Sequence, residues 1–203
     1  MLGKMSQSVF IKIYVLILLD LMFWGFTLLG GIVLGVGPAL RTITELYLDS
    51  QSDYQNVNPK RGWHYFKQYF WAANKQFYGF AVVEAVLLYN LSLSTQLRGL
   101  WVFVIQFILI FAALANIVLA GDTLLLVSRF AVETKNAIKL AFGQFFDNFT
   151  KFLLTVLGLV AIGVASYMWP GLLIFLTIGT VVMWFNHCGK NWYAKIDKML
   201  ATS

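Results

Sequence analysis

Charge is the scarcest property of this sequence. Only 12% of its 203 residues are charged and 60% are hydrophobic, where about a quarter would be charged in an ordinary soluble domain. The mean hydropathy of +0.74 agrees. A sizeable soluble domain is excluded, and there is room for four to six membrane helices with connectors. Cysteine is almost absent. Cys188 stands alone, which excludes an internal disulfide framework and any multi-thiolate metal site; a small apolar packing role in the last helix is expected. The two histidines, His64 and His187, are distant, and the His187-Cys188 pair offers two metal ligands without partners. No Walker loop, HExxH or GxSxG is present, so no enzyme, metal or cofactor is expected. A short cleavable signal peptide is also missing. The first apolar run is too long for one and no small-residue cleavage site follows, so it is expected to be retained.

What charge there is carries a net +6. The basic residues flank apolar runs and do not gather on one face. That is the pattern of loops at the cytoplasmic leaflet and excludes nucleic acid as the expected partner.

The stretch around which the rest is organised is DLMFWGFTLLGGIVLGVGPALR, Asp20 to Arg41. Its uncharged part, Leu21 to Leu40, has about the 20 residues that a helix needs to cross a bilayer core of roughly 30 Å. Residues 1–13 ahead of it read equally as an interfacial lead-in or as the outer end of a long tilted helix, and the first span is placed at 14–40. Gly31 and Gly35 form a GxxxG step that would let a partner helix approach closely, or serve as lipid-tolerated filler. Pro38 is expected to end or kink the helix at Gly37.

Residues 41–62 read as a solvated loop. Asn58-Pro59 is a helix-start signal. An amphipathic helix is then expected over 59–76, with Phe66, Tyr69, Phe70, Ala73 and Phe77 on one face, followed by a span over 77–97 that contains Glu84. Arg98-Gly99 is a short turn. A third span over 100–128 carries Asn116 and Asp122 and closes at Arg129. A second amphipathic helix, 133–151, and two further spans at 152–168 and 171–188, broken at Trp169-Pro170-Gly171, complete the chain ahead of a basic tail. The fold class expected is therefore all-α, a polytopic membrane protein with about five spans and two interfacial helices. Helix-then-hairpin recurs at 63–128 and 137–188, a weak internal repeat.

With the C-terminus inside, twelve basic residues fall on the cytoplasmic side and only Lys4, Lys12 and Arg98 outside. This places the N-terminus outside a cytoplasmic membrane. Asn90-Leu-Ser92 and Asn148-Phe-Thr150 match the glycosylation pattern but lie in or against membrane helices. The residues left to carry function are the intramembrane polar ones: Asp20, Glu84, Asn116, Asp122 and Arg129. A charged acid facing lipid costs several kcal/mol, so each should face protein, water or a basic partner. Asp122 and Arg129, seven apart, share a helix face.

Three stretches carry a resemblance: LLGGIVLGVGPALR, FKQYFWAANKQFYGF, and SRFAVETKNAIKLAFGQFFDNFTKFLLT. Together they resemble the YesL-like family of small bacterial integral membrane proteins. Pro38-Ala39 match that family's Gly-x-x-Pro-Ala turn, Phe66 to Phe80 its phenylalanine–lysine helix, and Arg129 the arginine closing its third span. Asp20 departs from the asparagine the family favours. The resemblance implies association with carbohydrate ABC importers of Gram-positive bacteria, as an accessory or regulatory subunit docked on permease subunits. Gly31, Gly35 and Pro38 are then the docking candidates. The competing reading is a small autonomous transporter or substrate-capture component, with the bilayer itself as the other partner.

Overall fold

The computed structural model describes the backbone of residues 2–51 and 53–201 and the side chains of residues 9–51 and 53–199. The side chain of Lys4, counted above as an outside charge, lies outside the described residues. Helix is the only regular structure among them, and four helices are long and apolar enough to cross a membrane: Val9–Leu29, Pro59–Ser94, Leu100–Phe130 and Phe149–Met168.

α1 spans Leu2–Leu29, so the lead-in and the first span are one continuous helix. It does not reach residue 40. Gly30 and Gly31 break it: Gly31 adopts φ 77° and Ile32 φ 61°, and the Ile32 N–H donates to the Thr27 carbonyl. This is a left-handed helix stop, which glycine favours because it has no Cβ to clash. The chain then reverses. α2, Val36–Ser50, returns between α1, α3 and α4. Pro38 sits in its first turn, where a proline has no intrahelical N–H to lose; it starts a helix here and does not end one. Most of the stretch expected as loop, 41–50, is therefore helix. Ile43, Leu46 and Tyr47 form its inward stripe at helical spacing, and all three are buried.

After a 3-10 turn at Tyr54–Asn56, α3 runs unbroken over Pro59–Ser94. The Asn58 side chain caps it by accepting from the Arg61 N–H at 2.9 Å. The amphipathic helix and the span that follows are thus one rod of about 54 Å, at about 1.5 Å per residue, with no surface helix turning at residue 76. α4, Leu100–Phe130, returns antiparallel and closes at Ala131 in a left-handed conformation. Only the second amphipathic segment is separate. α5, Thr134–Asp147, stops at Asn148, whose side chain caps α6, Phe149–Met168, at the Lys151 N–H. The repeat thus differs between its two copies.

The expected fifth span, 171–188, is broken at Leu176 into a short α7, Gly171–Phe175, and a longer α8, Thr177–Ala201. α8 is not among the four apolar helices, and it runs on through most of the tail expected to lie in water. Tyr193 and Ile196 on that extension are buried.

Two apolar clusters hold the bundle. One joins α1, α2, α3 and α8 through residues such as Leu19, Phe26, Ile43, Leu46, Phe66 and Val182. The other joins α4, α5, α6 and α8 through Leu125, Leu126, Phe152 and Tyr193, with Ala137 and Ala141 letting α5 lie close. Large apolar side chains such as Val82, Phe103, Phe107 and Val160 point outward, as they must on a lipid-facing surface. Lys12 near the start of α1 and Lys190 on α8 line one crevice. They therefore lie at the same end of the bundle, whereas the charge count had set them on opposite sides.

Candidate functional site

Between α2, α3, α4, α6 and α8 lies a chamber of about 330 Å³, within the range of small-molecule sites. Small residues make the room for it. Gly37 of α2 lies so near α3 that a Cβ there would be 3.0 Å from Phe77 Cβ and 3.1 Å from the Ala73 carbonyl. Ala81 of α3 and Ala120 and Gly121 of α4 also line the space. A Cβ at Gly121 would collide with the Phe185 ring.

The walls are Phe77, Phe80, Leu124, Leu125, Val182 and Phe185, among other apolar groups. Only Thr44, Gln76, Glu84 and Asn116 bring polar side chains to the lining. Thr44 spends its hydroxyl on the Leu40 carbonyl at 2.8 Å. Glu84 and Asn116, far apart in sequence, meet across α3 and α4. The Asn116 amide donates to Glu84 Oε2 at 2.9 Å and to the Phe80 carbonyl at 3.1 Å. Both amide hydrogens are thereby used, which fixes the amide's orientation. Among the described residues, Glu84 Oε1 and Asn116 Oδ1 have no hydrogen-bond partner, so two acceptors remain beside an apolar space. Such an arrangement suits one hydrogen-bond-donating group attached to an apolar body.

The other intramembrane polar residues go elsewhere. Asp20, fully buried, accepts from the Ile178 and Gly179 N–H groups at the start of α8. It is a cap supplied by a distant helix, where a negative charge meets the unpaired N–H groups of a helix start. The Trp24 indole donates to the Leu173 carbonyl beside it at 3.3 Å. Asp20→Ala leaves one buried and one part-buried donor unpaired, the buried one at about 1–3 kcal/mol. The thermal midpoint in detergent is expected to fall clearly for Asp20→Ala and less for Asp20→Asn, which keeps an acceptor.

Asp122 pairs with Lys151 of α6, and both are buried. Arg129 does not join them. It pairs with Asp197 of α8 at 3.3 Å and lies over the Tyr193 ring at 5.3 Å. Lys151 is the last residue of the segment 133–151 expected as an amphipathic helix. The signal that could have found it is simple: a buried acid requires a cation, and Lys151 stands at the start of the next span. Arg41, in the stretch expected as solvated loop, is also buried. It bridges Glu45 at 2.7 Å, donates to the Val127 carbonyl at 2.9 Å and faces the Tyr69 ring at 4.7 Å. Gly35 is turned inward, where a Cβ would run into the Thr27 backbone, while Gly31 faces open space. The Gly31–Gly35 step therefore lies in a turn and not along a helix face. His64 lies beside Tyr65, and His187 stacks against Trp184. Among the described residues no three metal-ligating side chains converge.

Residues 16–91 match the family described as "Protein of unknown function, DUF624". The match takes in about half of α1, all of α2 and nearly all of α3, so it contains Glu84 and the Gly30–Gly35 reversal but not Asn116. The DUF624 description carries no activity. No curated protein and no solved structure matches the chain.

Proposed function

We propose that this protein is a membrane-embedded binding component whose chamber receives the apolar part of a small amphiphile. Glu84 and Asn116 would hold its one hydrogen-bond-donating head. The observation that carries this is the pairing of two free acceptors with an otherwise apolar cavity of ligand size. It is the substrate-capture reading, narrowed by chemistry. Four polar side chains, with the Thr44 hydroxyl already committed, are too few to satisfy the hydroxyls of a sugar, each of which would be costly to bury unpaired. A link to carbohydrate uptake, which the YesL-like resemblance implies, would then run through a partner and not through this chamber.

The end bearing Lys12, Arg129 and Lys190 is taken to face the cytoplasm. Among the described side chains, Arg98 is then the one basic residue at the opposite end, a stronger positive-inside bias than the five-span count gave. Both termini then lie inside.

The test is binding by the purified full-length protein in detergent. A medium-chain alkylamine is expected to raise the thermal midpoint more than an alkane or a carboxylate of equal length. Glu84→Gln should remove the preference for the amine, and Ala120→Trp, which fills the chamber, should remove binding altogether. Equal response to all three probes, or binding that survives Ala120→Trp, would sink the proposal.

A second reading, an accessory subunit docked on the permease of a carbohydrate importer, is supported by the resemblance and by the surplus length of α3. Its rod of about 54 Å, at about 1.5 Å per residue, far exceeds a bilayer core of about 30 Å, and Trp63 and Trp71 on the surplus are exposed. Repeated purification of the protein alone from its native membrane in mild detergent would contradict it.

A further inference from the structure

We infer that the crevice at the basic end of the bundle binds the phosphate-bearing headgroup of an anionic phospholipid. This site is separate from the chamber, and of the reading above it uses only the orientation, with this end toward the cytoplasm. The crevice, about 990 Å³, lies between the N-terminal half of α1, the end of α2 and the middle of α8. Three cations line it: Lys12, Arg129 and Lys190, with His187 beside them and Asp53 as the one acid. Arg129 is engaged by Asp197. Lys12 and Lys190 have no ion-pair partner among the described residues, and both are exposed. Tyr47, Ser50 and Asn186 add polar groups to the same wall.

The second half of the observation is apolar. Met183, His187 and Lys190 fall at i, i+4 and i+7 on one face of α8, so that face passes from apolar to cationic within two turns. Lys12, Val15 and Leu16 make the same passage on α1, inside the apolar span Val9–Leu29. A cationic rim leading into an apolar strip matches an amphiphile whose phosphate stays at the interface while its chains follow the helices. A free phosphate ion would use only the rim. The cytoplasmic leaflet, which the positive charge bias selects for this end, is also the one rich in anionic lipid.

The experiment uses the full chain in uncharged maltoside micelles, probed with short-chain phosphatidylglycerol, phosphatidylcholine of equal chain length, and inorganic phosphate. Phosphatidylglycerol is expected to bind about tenfold more tightly than phosphatidylcholine, since each nearby lysine favours an anionic headgroup. Raising the salt concentration should weaken only the anionic lipid. Lys12→Gln with Lys190→Gln should abolish the difference, and the exposed side chains make folding of that variant expected. Lys60→Gln with Lys135→Gln, equal in charge but away from the crevice, should preserve it. Equal binding of the two lipids, or equal loss in both double variants, overturns the inference. Competition by inorganic phosphate at concentrations matching the lipid would reassign the crevice to a soluble anion and overturn the lipid assignment.

Discussion

Lys151→Met is expected to lower the thermal midpoint of the purified protein by about 10 °C. Breaking a buried ion pair by removing one partner costs about 3–5 kcal/mol, and each kcal/mol moves the midpoint of a chain this size by about 2–4 °C. The reason is Asp122. Its side chain is buried, one carboxylate oxygen meets the Lys151 ammonium, and the other has no partner. Lysine removal strands that carboxylate between α4 and α6. The double variant Asp122→Asn with Lys151→Met should recover most of the loss, because no uncompensated charge remains. A single variant as stable as the wild type would show that the pair is not buried. A double variant no better than the single would trace the loss to packing of the lysine stem.

Gly35→Ala is expected to be the most damaging single methyl group that could be added to the first half of the chain. The added Cβ runs into the Thr27 carbonyl, and that carbonyl already accepts the N–H of Ile32 in the left-handed stop. Backbone has to move, so α1 and α2 would separate. Overpacking of this kind costs about 3 kcal/mol or more when the neighbour cannot yield. Gly25→Ala supplies the control. Gly25 lies within α1 with nothing within 4 Å of an added Cβ, so alanine there should be neutral or stabilising by up to about 1 kcal/mol. Size-exclusion profiles and thermal midpoints of the two variants separate the outcomes. Equal behaviour would mean that the Gly30–Gly35 reversal is not packed against Thr27.

The apolar helices were legible where nothing competed with the hydropathy signal. α4 was found nearly to the residue, because Gly99 and Arg129 bracket an unbroken apolar run. The start of α3 was legible in Asn58-Pro59, which names both the cap and the first helical position. Two misses share one cause: polar composition outweighed periodicity. Arg41, Thr42, Thr44, Glu45 and Asp49 made residues 41–50 look like solvated loop, although Ile43, Leu46 and Tyr47 keep helical spacing. Lys190, Lys195, Asp197 and Lys198 hid the continuation through Tyr193 and Ile196 in the same way. The glycines misled differently. A window with Gly31 and Gly35 fits both a helix-packing step and a helix stop. Only the extra glycine at position 30 and the proline at the start of the next turn favour the stop.

Within the candidate site, Glu84 and Asn116 were both named from sequence as intramembrane polar residues, but not as a pair. One sequence does not show which faces of α3 and α4 meet. Asp20 was legible as a residue that needs a partner. That its partner is the open end of a helix near the other end of the chain depends on α8 beginning at Thr177, a break that no proline or glycine marks.

Occupancy of the chamber is the claim on which the functional reading stands. A medium-chain alkylamine carrying a diazirine, photolysed on the full-length protein in detergent and mapped by mass spectrometry, tests it directly. Labels are expected on chamber residues such as Phe80, Leu125 and Phe185, of which Leu125 and Phe185 are buried, and should be lost in Ala120→Trp. Labels confined to outward residues such as Val82, Phe103 and Ile110, unchanged in that variant, would contradict it.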